Sequence, residues 1–268
     1  MKFAVIGHPI LHSLSPLMHH ANFKALNRDD EYIALNIDPN HFHHIKDIIN
    51  QSQLDGFNVT IPYKVDIMQY CDEIDLLAQK IGAVNTVAIQ DGKWIGYNTD
   101  ADGYIMDLKQ NCNIDYIKQV LIIGAGGASR ALATKLYDLG CNITITNRSQ
   151  NRLSDWKIPT EYIALSDINK IDLKQFQLII NTTPVGMSGF NNEMLIDLNH
   201  CQKDTMISDI IYNPAETEFL KQAKDLKLPY FNGLGMFVNQ GALSFKYWTG
   251  IDANREAMKA AVIKKLNL

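Results

Sequence analysis

Residues 119–129 read QVLIIGAGGAS, and no other stretch limits the fold of this chain as tightly. An apolar run bounded by a turn suits a strand buried on both faces. Gly124 and Gly126 occupy the first two glycines of a G-x-G-x-x-G pattern, with Ser129 at the third place. The first glycine permits a tight turn, the second lets a ligand approach the backbone, and a small third residue lets the next helix pack close to the strand. That helix is expected to reach about Leu139 and stop at Gly140, and NITIT, residues 142–146, supplies the next strand.

A turn of this kind accommodates a diphosphate, because the helix start favours negative charge. A strand-to-helix turn with no ligand has the same local pattern, so the end of the second strand must discriminate. It reads ITITNRSQNR. Where an NAD site usually places Asp or Glu to hold the ribose hydroxyls, this chain has Asn147, Arg148 and Ser149. Arg148 can pair with or stack over a 2′-phosphate, and Arg152 follows closely. The other reading is basic residues in a surface loop; their location favours NADP.

FQLIINTT (176–183), TMISDIIY (205–212) and PYFNG (229–233) continue the strand pattern, as expected of a doubly wound parallel sheet. The first hundred residues alternate too. FAVIG (3–7) and EYIALNI (31–37) read as strands, helices fit residues 16–26, 42–49 and 64–80, and Asp91-Gly92 joins AVNTVAIQ and KWIGYNTD as a hairpin. This half is therefore a mostly parallel α/β unit with an antiparallel addition. Residues 236–268 read as two helices interrupted by Thr249-Gly250-Ile251-Asp252. They have no strand of their own to cover, so they are expected to pack back on the first unit.

A length of 268 residues with 46% hydrophobic and 20% charged content allows one large domain or two modest ones. The net charge of −4 gives no reason to expect nucleic acid or an anionic membrane. No apolar run is long enough to span a bilayer and no leader pattern opens the chain, so a cytoplasmic protein is expected. Cys71, Cys112, Cys141 and Cys201 form no CxxC pair, which points to reduced thiols rather than zinc ligands or disulfides. His41, His43 and His44 lack further ligands at metal spacing and read as a surface helix start after Asp38-Pro39-Asn40.

Several polar residues sit where strands end. In GFNVTIPYK (56–64), Asn58 and Thr60 share one side of a period-two strand, Pro62 stops it, and Lys64 follows. Alone, this is an edge strand with a wet face and a solvated lysine. HPILHSLSP (8–16) places Ser13 and Ser15 before a helix whose first position suits Pro16. Ser15 as a simple cap and a hydroxyl pair holding a carboxylate both fit. IGAVNTV (81–87) offers Asn85, a donor and acceptor for a hydroxyl, and GYNTDADG (96–103) offers Asp100, which by itself reads as a cap. If these strand ends share one edge, Asn58, Thr60, Lys64, Asn85 and Asp100 converge: Asn and Thr to read a polyol, Lys and Asp to move a proton.

Taken in order over nearly the whole chain, GHPILHSLSP, GFNVTIPYK, IGAVNTV, GYNTDADG, GAGGASR, NRS, NTTPVGM, DIIYNP and GLGMFVNQGALSFKYWTG resemble the shikimate dehydrogenase family. The resemblance implies reversible NADP-dependent reduction of 3-dehydroshikimate to shikimate, on the route to chorismate and the aromatic amino acids. It implies two α/β domains: a substrate-binding domain over 1–100 and a Rossmann-type NADP domain over 101–235, with C-terminal helices 236–268 returning to the first. A monomer or homodimer is expected. Carried onto matching positions, Ser13 and Ser15 would bind the substrate carboxylate. Asn58, Thr60, Asn85, Asp100 and Gln240 would contact ring hydroxyls with Lys64 among them, and Tyr212 and Gly235 would line the site. Lys64 and Asp100 would be the catalytic pair. Gly124, Ala125, Gly126, Gly127 and Ala128 would hold the diphosphate, Asn147, Arg148 and Ser149 the 2′-phosphate, and Thr182, Met187 and Gly233 would border the cofactor. Phe237 stands where the family often has an aliphatic residue. The rivals are a quinate/shikimate relative with broader choice, a methylene-tetrahydrofolate or glutamyl-tRNA reductase type sharing the nucleotide domain, and a non-catalytic NADP-binding regulator. The two serines, GFNVTIPYK and the Lys64–Asp100 pair favour the shikimate enzyme.

Overall fold

The computed structural model describes residues 1–10, 13–191, 193 and 195–267. Leu11 and His12 of the HPILHSLSP motif, and Leu268, lie outside the described residues. Two compact units divide the chain, one made of residues 1–99 with 238–267 and the other of residues 100–237.

The first unit opens with β1 (Lys2–Gly7), α1 (Ser15–Ala25), β2 (Glu31–Asn36), α2 (Ile45–Ser52), β3 (Gly56–Val59), β4 (Glu73–Ile74), α3 (Leu76–Ile81), β5 (Thr86–Gln90) and β6 (Lys93–Tyr97). Its sheet runs β2-β1-β3-β5-β6-β4. β1 is parallel to both β2 and β3, whereas β5 is antiparallel to β3 and β6. Phe3, Ala4, Val5 and Ile6 are all buried, because a central parallel strand covered on both faces has no wet side. β3 is central too, between β1 and β5, and all its residues are buried. The edge-strand reading of GFNVT is therefore wrong, and Asn58 faces protein. The hairpin turns through Asp91 and Gly92, with φ of 50° and 77°, the left-handed pair that matches strand twist.

Residues 64–80 do not form the single helix expected of them. A 3₁₀ turn at Asp66–Tyr70 gives way to β4, which pairs with β6, and α3 starts only after Asp75. The aspartates explain the break. Asp72 accepts the Trp94 N–H at 2.7 Å and Asp75 accepts the Leu77 N–H at 2.9 Å. A short acidic side chain competes well for backbone donors outside a helix, and a cap of this kind is worth ~1 kcal/mol.

The second unit contains α4 (Asp100–Asn111), β7 (Gln119–Ile123), α5 (Gly127–Asp138), β8 (Asn142–Asn147), β9 (Glu161–Ala164), β10 (Leu178–Asn181), β11 (Met206–Asp209), α6 (Glu218–Asp225) and β12 (Tyr230–Phe231). Its strands are all parallel in the order β12-β11-β10-β7-β8-β9. The chain reverses its direction of winding between β7 and β10, and the carboxyl ends of strands at such a switch point open a ligand crevice. β9, in the polar setting PTEYIALS, had no distinct signal in the sequence.

The chain ends in α7 (Leu234–Thr249) and α8 (Arg255–Leu266). The division between the units falls inside α7, and α8 packs on α1 in the first unit. Trp248 of α7 stacks on Phe3 with centroids 4.7 Å apart and donates its indole N–H to the Val87 carbonyl at 3.0 Å. An amphipathic aromatic of this kind adds a directional bond to a large apolar contact.

Candidate active site

In the first unit, a buried cluster of amides and hydroxyls gathers behind the ends of β3 and β5. Asn58 Nδ2 donates to Ser244 Oγ at 2.8 Å, Thr86 Oγ1 at 3.1 Å and the Asn85 carbonyl at 3.2 Å. Its Oδ1 accepts the Tyr32 hydroxyl at 2.7 Å. Asn85 Oδ1 accepts the Thr99 N–H at 2.7 Å, and Asn85 Nδ2 donates to Thr99 Oγ1 at 2.9 Å. Ser244 Oγ also donates to the carbonyl of Gln240, 2.9 Å away, so α7 is tied to β3 and β5 at the turn that carries Gln240. Buried polar groups are costly unless paired, and a well-connected network orients its members.

Ser13 and Ser15 differ in their tasks. Ser13 Oγ accepts the Ser15 N–H at 3.2 Å, doing the work of a cap. The residue before α1 is Leu14, whose own side chain makes no cap hydrogen bond. The reading of Ser15 as the cap is thereby corrected. Ser15 is itself buried, and its influence on the Tyr32 phenol is small beside that of burial. Burial raises the Tyr32 phenol well above its ordinary pKa, so it stays an O–H donor towards Asn58. His19 stacks on Tyr32 with centroids 4.3 Å apart.

Lys64 is half-buried, in a loop anchored on both sides. Its carbonyl accepts the Val84 N–H at 2.7 Å, and the preceding Tyr63 hydrogen-bonds the Ile37 carbonyl and stacks on Phe42 at 4.0 Å. The Thr60 N–H donates to the Ile6 carbonyl at 2.9 Å, extending the β3 ladder past the strand. Lys64, Thr60, Asn58, Asn85, Ser13, Ser15 and Gln240 belong to the first unit, whereas Asp100, buried at the start of α4, belongs to the second.

In the second unit, Gly124 has φ +112°, and its N–H donates to the Thr146 carbonyl at 2.8 Å, so the turn is bound to β8. A Cβ on Gly124 would lie 2.7 Å from Thr182 Oγ1. Thr182 itself hydrogen-bonds the Ile123 carbonyl at 2.7 Å and Ser129 Oγ at 2.5 Å, and Ser129 Oγ accepts the Gly126 N–H at 3.2 Å. Serine at the third glycine position thus joins the turn to the strand end of β10. Gly126 faces open space, with nothing within 4 Å of a built Cβ, and the first turn of α5 carries no acid. These features fit a diphosphate lying across Gly124, Ala125, Gly126, Gly127 and Ala128. Beyond β8, Asn147 Nδ2 donates to the Ser149 carbonyl at 3.0 Å and the Asn147 carbonyl accepts the Tyr162 hydroxyl at 2.9 Å. Arg148, Ser149 and Arg152 are exposed.

Buried Asp209 joins the loops beyond β10 and β11. It accepts from Asn181 Nδ2 at 3.1 Å, the Ile211 N–H at 3.0 Å and Thr217 Oγ1 at 2.7 Å, yet burial still pushes its carboxyl up to about 6. These loops carry Thr182, Met187 and Tyr212. Tyr212 stacks on Phe237 at 4.2 Å, which gives the aromatic departure a packing role. The Gly233 N–H donates to the Ile211 carbonyl at 3.0 Å. Next to Gly235, the Met236 N–H donates to buried Asp107 at 2.9 Å. Tyr32, Ser244, Asp107 and Asp209 escaped the sequence reading. Each sits inside an ordinary strand, turn or helix pattern, and only the fold brings its partners to it.

Residues 5–87 match the family model of the shikimate dehydrogenase substrate binding domain, residues 108–227 that of shikimate / quinate 5-dehydrogenase, and residues 233–263 that of the shikimate 5′-dehydrogenase C-terminal domain. A Staphylococcus epidermidis protein named shikimate dehydrogenase (NADP(+)) is 50% identical over 267 residues, covering 99% of this chain and 98% of that protein. Among solved structures, a shikimate dehydrogenase in complex with NADP+ superposes with a TM-score of 0.91 at 40% identity, covering 99% of this chain and 95% of the other. The Thermus thermophilus shikimate 5-dehydrogenase in complex with NADP(H) and shikimate gives a TM-score of 0.87 at 30% identity, covering 98% of this chain and 99% of the other.

Proposed function

This chain belongs to the shikimate dehydrogenase family, and we propose that it interconverts 3-dehydroshikimate and shikimate with NADP(H), its first unit holding the substrate and its second the cofactor. The observation that carries the reading is the presence in one chain of a glycine turn at the β7/β10 switch point, followed by Asn147-Arg148-Ser149 rather than a carboxylate, and of the amide and hydroxyl cluster around Asn85. The nicotinamide supplies or accepts the hydride. The chain supplies position and the proton.

Ser13 and Ser15 bind the carboxylate. Thr60, Asn85 and Gln240 address ring hydroxyls, and Asn58, its amide engaged by Tyr32, Ser244, Thr86 and Asn85, supports them from behind. Lys64 and Asp100 act as a pair at the oxygen that alternates between ketone and hydroxyl. As an ammonium, Lys64 gives a proton as the ketone is reduced and stabilises the negative charge that develops; as the neutral amine it takes the proton back in the reverse direction. Asn147, Arg148 and Ser149 receive the 2′-phosphate, which sets NADP above NAD. The four cysteines are free thiols, which suits a reducing cytoplasm.

The test is the initial rate of NADPH formation from shikimate and NADP+, with NAD+ and quinate in parallel. A fast rate confined to shikimate and NADP+ is expected. Measurable NADP+ binding with no turnover of either substrate would leave the nucleotide unit as read and overturn the chemistry.

A further inference from the structure

Arg130 sits in the first turn of α5, where a cation opposes the helix dipole. Its side chain is only 11% exposed, and Nη2 donates to Asp155 Oδ1 at 2.5 Å. The guanidinium also lies over the Trp156 ring, 5.9 Å from its centroid. The hydrogen bond from Arg130 holds the Asp155 carboxyl below its usual range, so Asp155 is a carboxylate at neutral pH. Asp155 and Trp156 follow the 3₁₀ turn Gln150–Leu153, which comes directly after Asn147-Arg148-Ser149. A locally unfavourable arginine with two specific partners marks a place where another requirement wins.

We propose that Arg130 is a positioning residue for cofactor choice: with Asp155 and Trp156 it fastens the segment behind Asn147-Arg148-Ser149 to the helix that receives the diphosphate, so that the 2′-phosphate site is held ready. The inference rests on the reading of Arg148 as the 2′-phosphate ligand. Preorganising that loop lowers the ordering cost of binding a cofactor that uses it. NAD+, lacking the 2′-phosphate, gains little from the same order.

The full-length protein is titrated with NADP+ and with NAD+ by calorimetry, with thermal melts to verify folding. Arg130→Gln and Asp155→Asn should each weaken NADP+ about three- to fivefold, the scale of one partly exposed ion pair, and leave NAD+ nearly unchanged. Asp155→Glu, which keeps the charge, should restore most of the NADP+ affinity. Equal losses for NADP+ and NAD+ would mean a general structural role and overturn the proposal. A loss in Arg130→Gln with none in Asp155→Asn would overturn it in favour of direct phosphate contact. Arg148→Ala serves as the control. If it too leaves NADP+ unchanged, the 2′-phosphate reading has failed, and the positioning role falls with it. If Arg148→Ala weakens NADP+ while both latch variants do not, only the latch has failed.

Discussion

His19 is fully buried against Tyr32, and among the described residues neither ring nitrogen has a hydrogen-bond partner. Burial, reinforced by the neighbouring charge of His20, lowers its pKa from 6.5 to about 3. The folded chain therefore keeps His19 neutral while the unfolded chain takes a proton below pH 6.5. Stability present above that value is lost as pH falls from 6.5 towards 3. In His19→Phe, which keeps the stacked ring, denaturant unfolding across this range should show a flatter dependence on pH than the parent. Parallel curves for the two proteins would refute the assignment. Lys64 makes a different prediction. Lys64→Ala should lower kcat by about 10²-fold or more, the scale of a lost proton-transfer group, with a much smaller change in KM for shikimate. Near-normal kcat with a greatly raised KM would reduce Lys64 to a binding residue. In the sequence, GFNVTIPYK alone left Lys64 a solvated lysine, and the confinement of His19 was hidden because HHANF reads as a polar helix until its packing is known.

At the scale of elements, the glycine turn carries the sharpest demand. Gly124 combines φ +112° with close approach to Thr182 and Thr183, at 2.7 and 3.0 Å from a built Cβ. Gly124→Ala should cost about 1–3 kcal/mol of unfolding free energy and weaken NADP+ binding, read by denaturant melts and by titration. Unchanged stability and affinity would show that the turn tolerates a side chain. The βα turn was readable because three local signals agreed: an unbroken apolar strand, glycines at fixed spacing and a terminating Gly140. The Asp-Gly hairpin was readable for the same reason. Residues 64–80 depart from their helical pattern because the decisive bonds, from Trp94 and Leu77 backbone to Asp72 and Asp75, include one made across the sheet. β9 pairs with β8 over a short span and carries too few alternating residues to announce itself.

For the whole molecule, local sequence was enough to assign the α/β class, the strand–turn–helix of the nucleotide site, the hairpin and the identity of the polar residues at strand ends. All of these rest on periodicity, turn chemistry and residue type, which act between near neighbours. Packing across the chain made GFNVT a central strand rather than an edge, since that depends on β1 and β5 flanking it from distant parts of the sequence. Packing also engaged Asn58 with Ser244, 186 residues away, and the N–H at the start of α1 went to Ser13 rather than leaving Ser15 as the cap. The same long-range contacts force certain titratable groups from their ordinary pKa values. Desolvation and long-range hydrogen bonding depend on what surrounds a side chain in space, and a local pattern of residues does not contain that information.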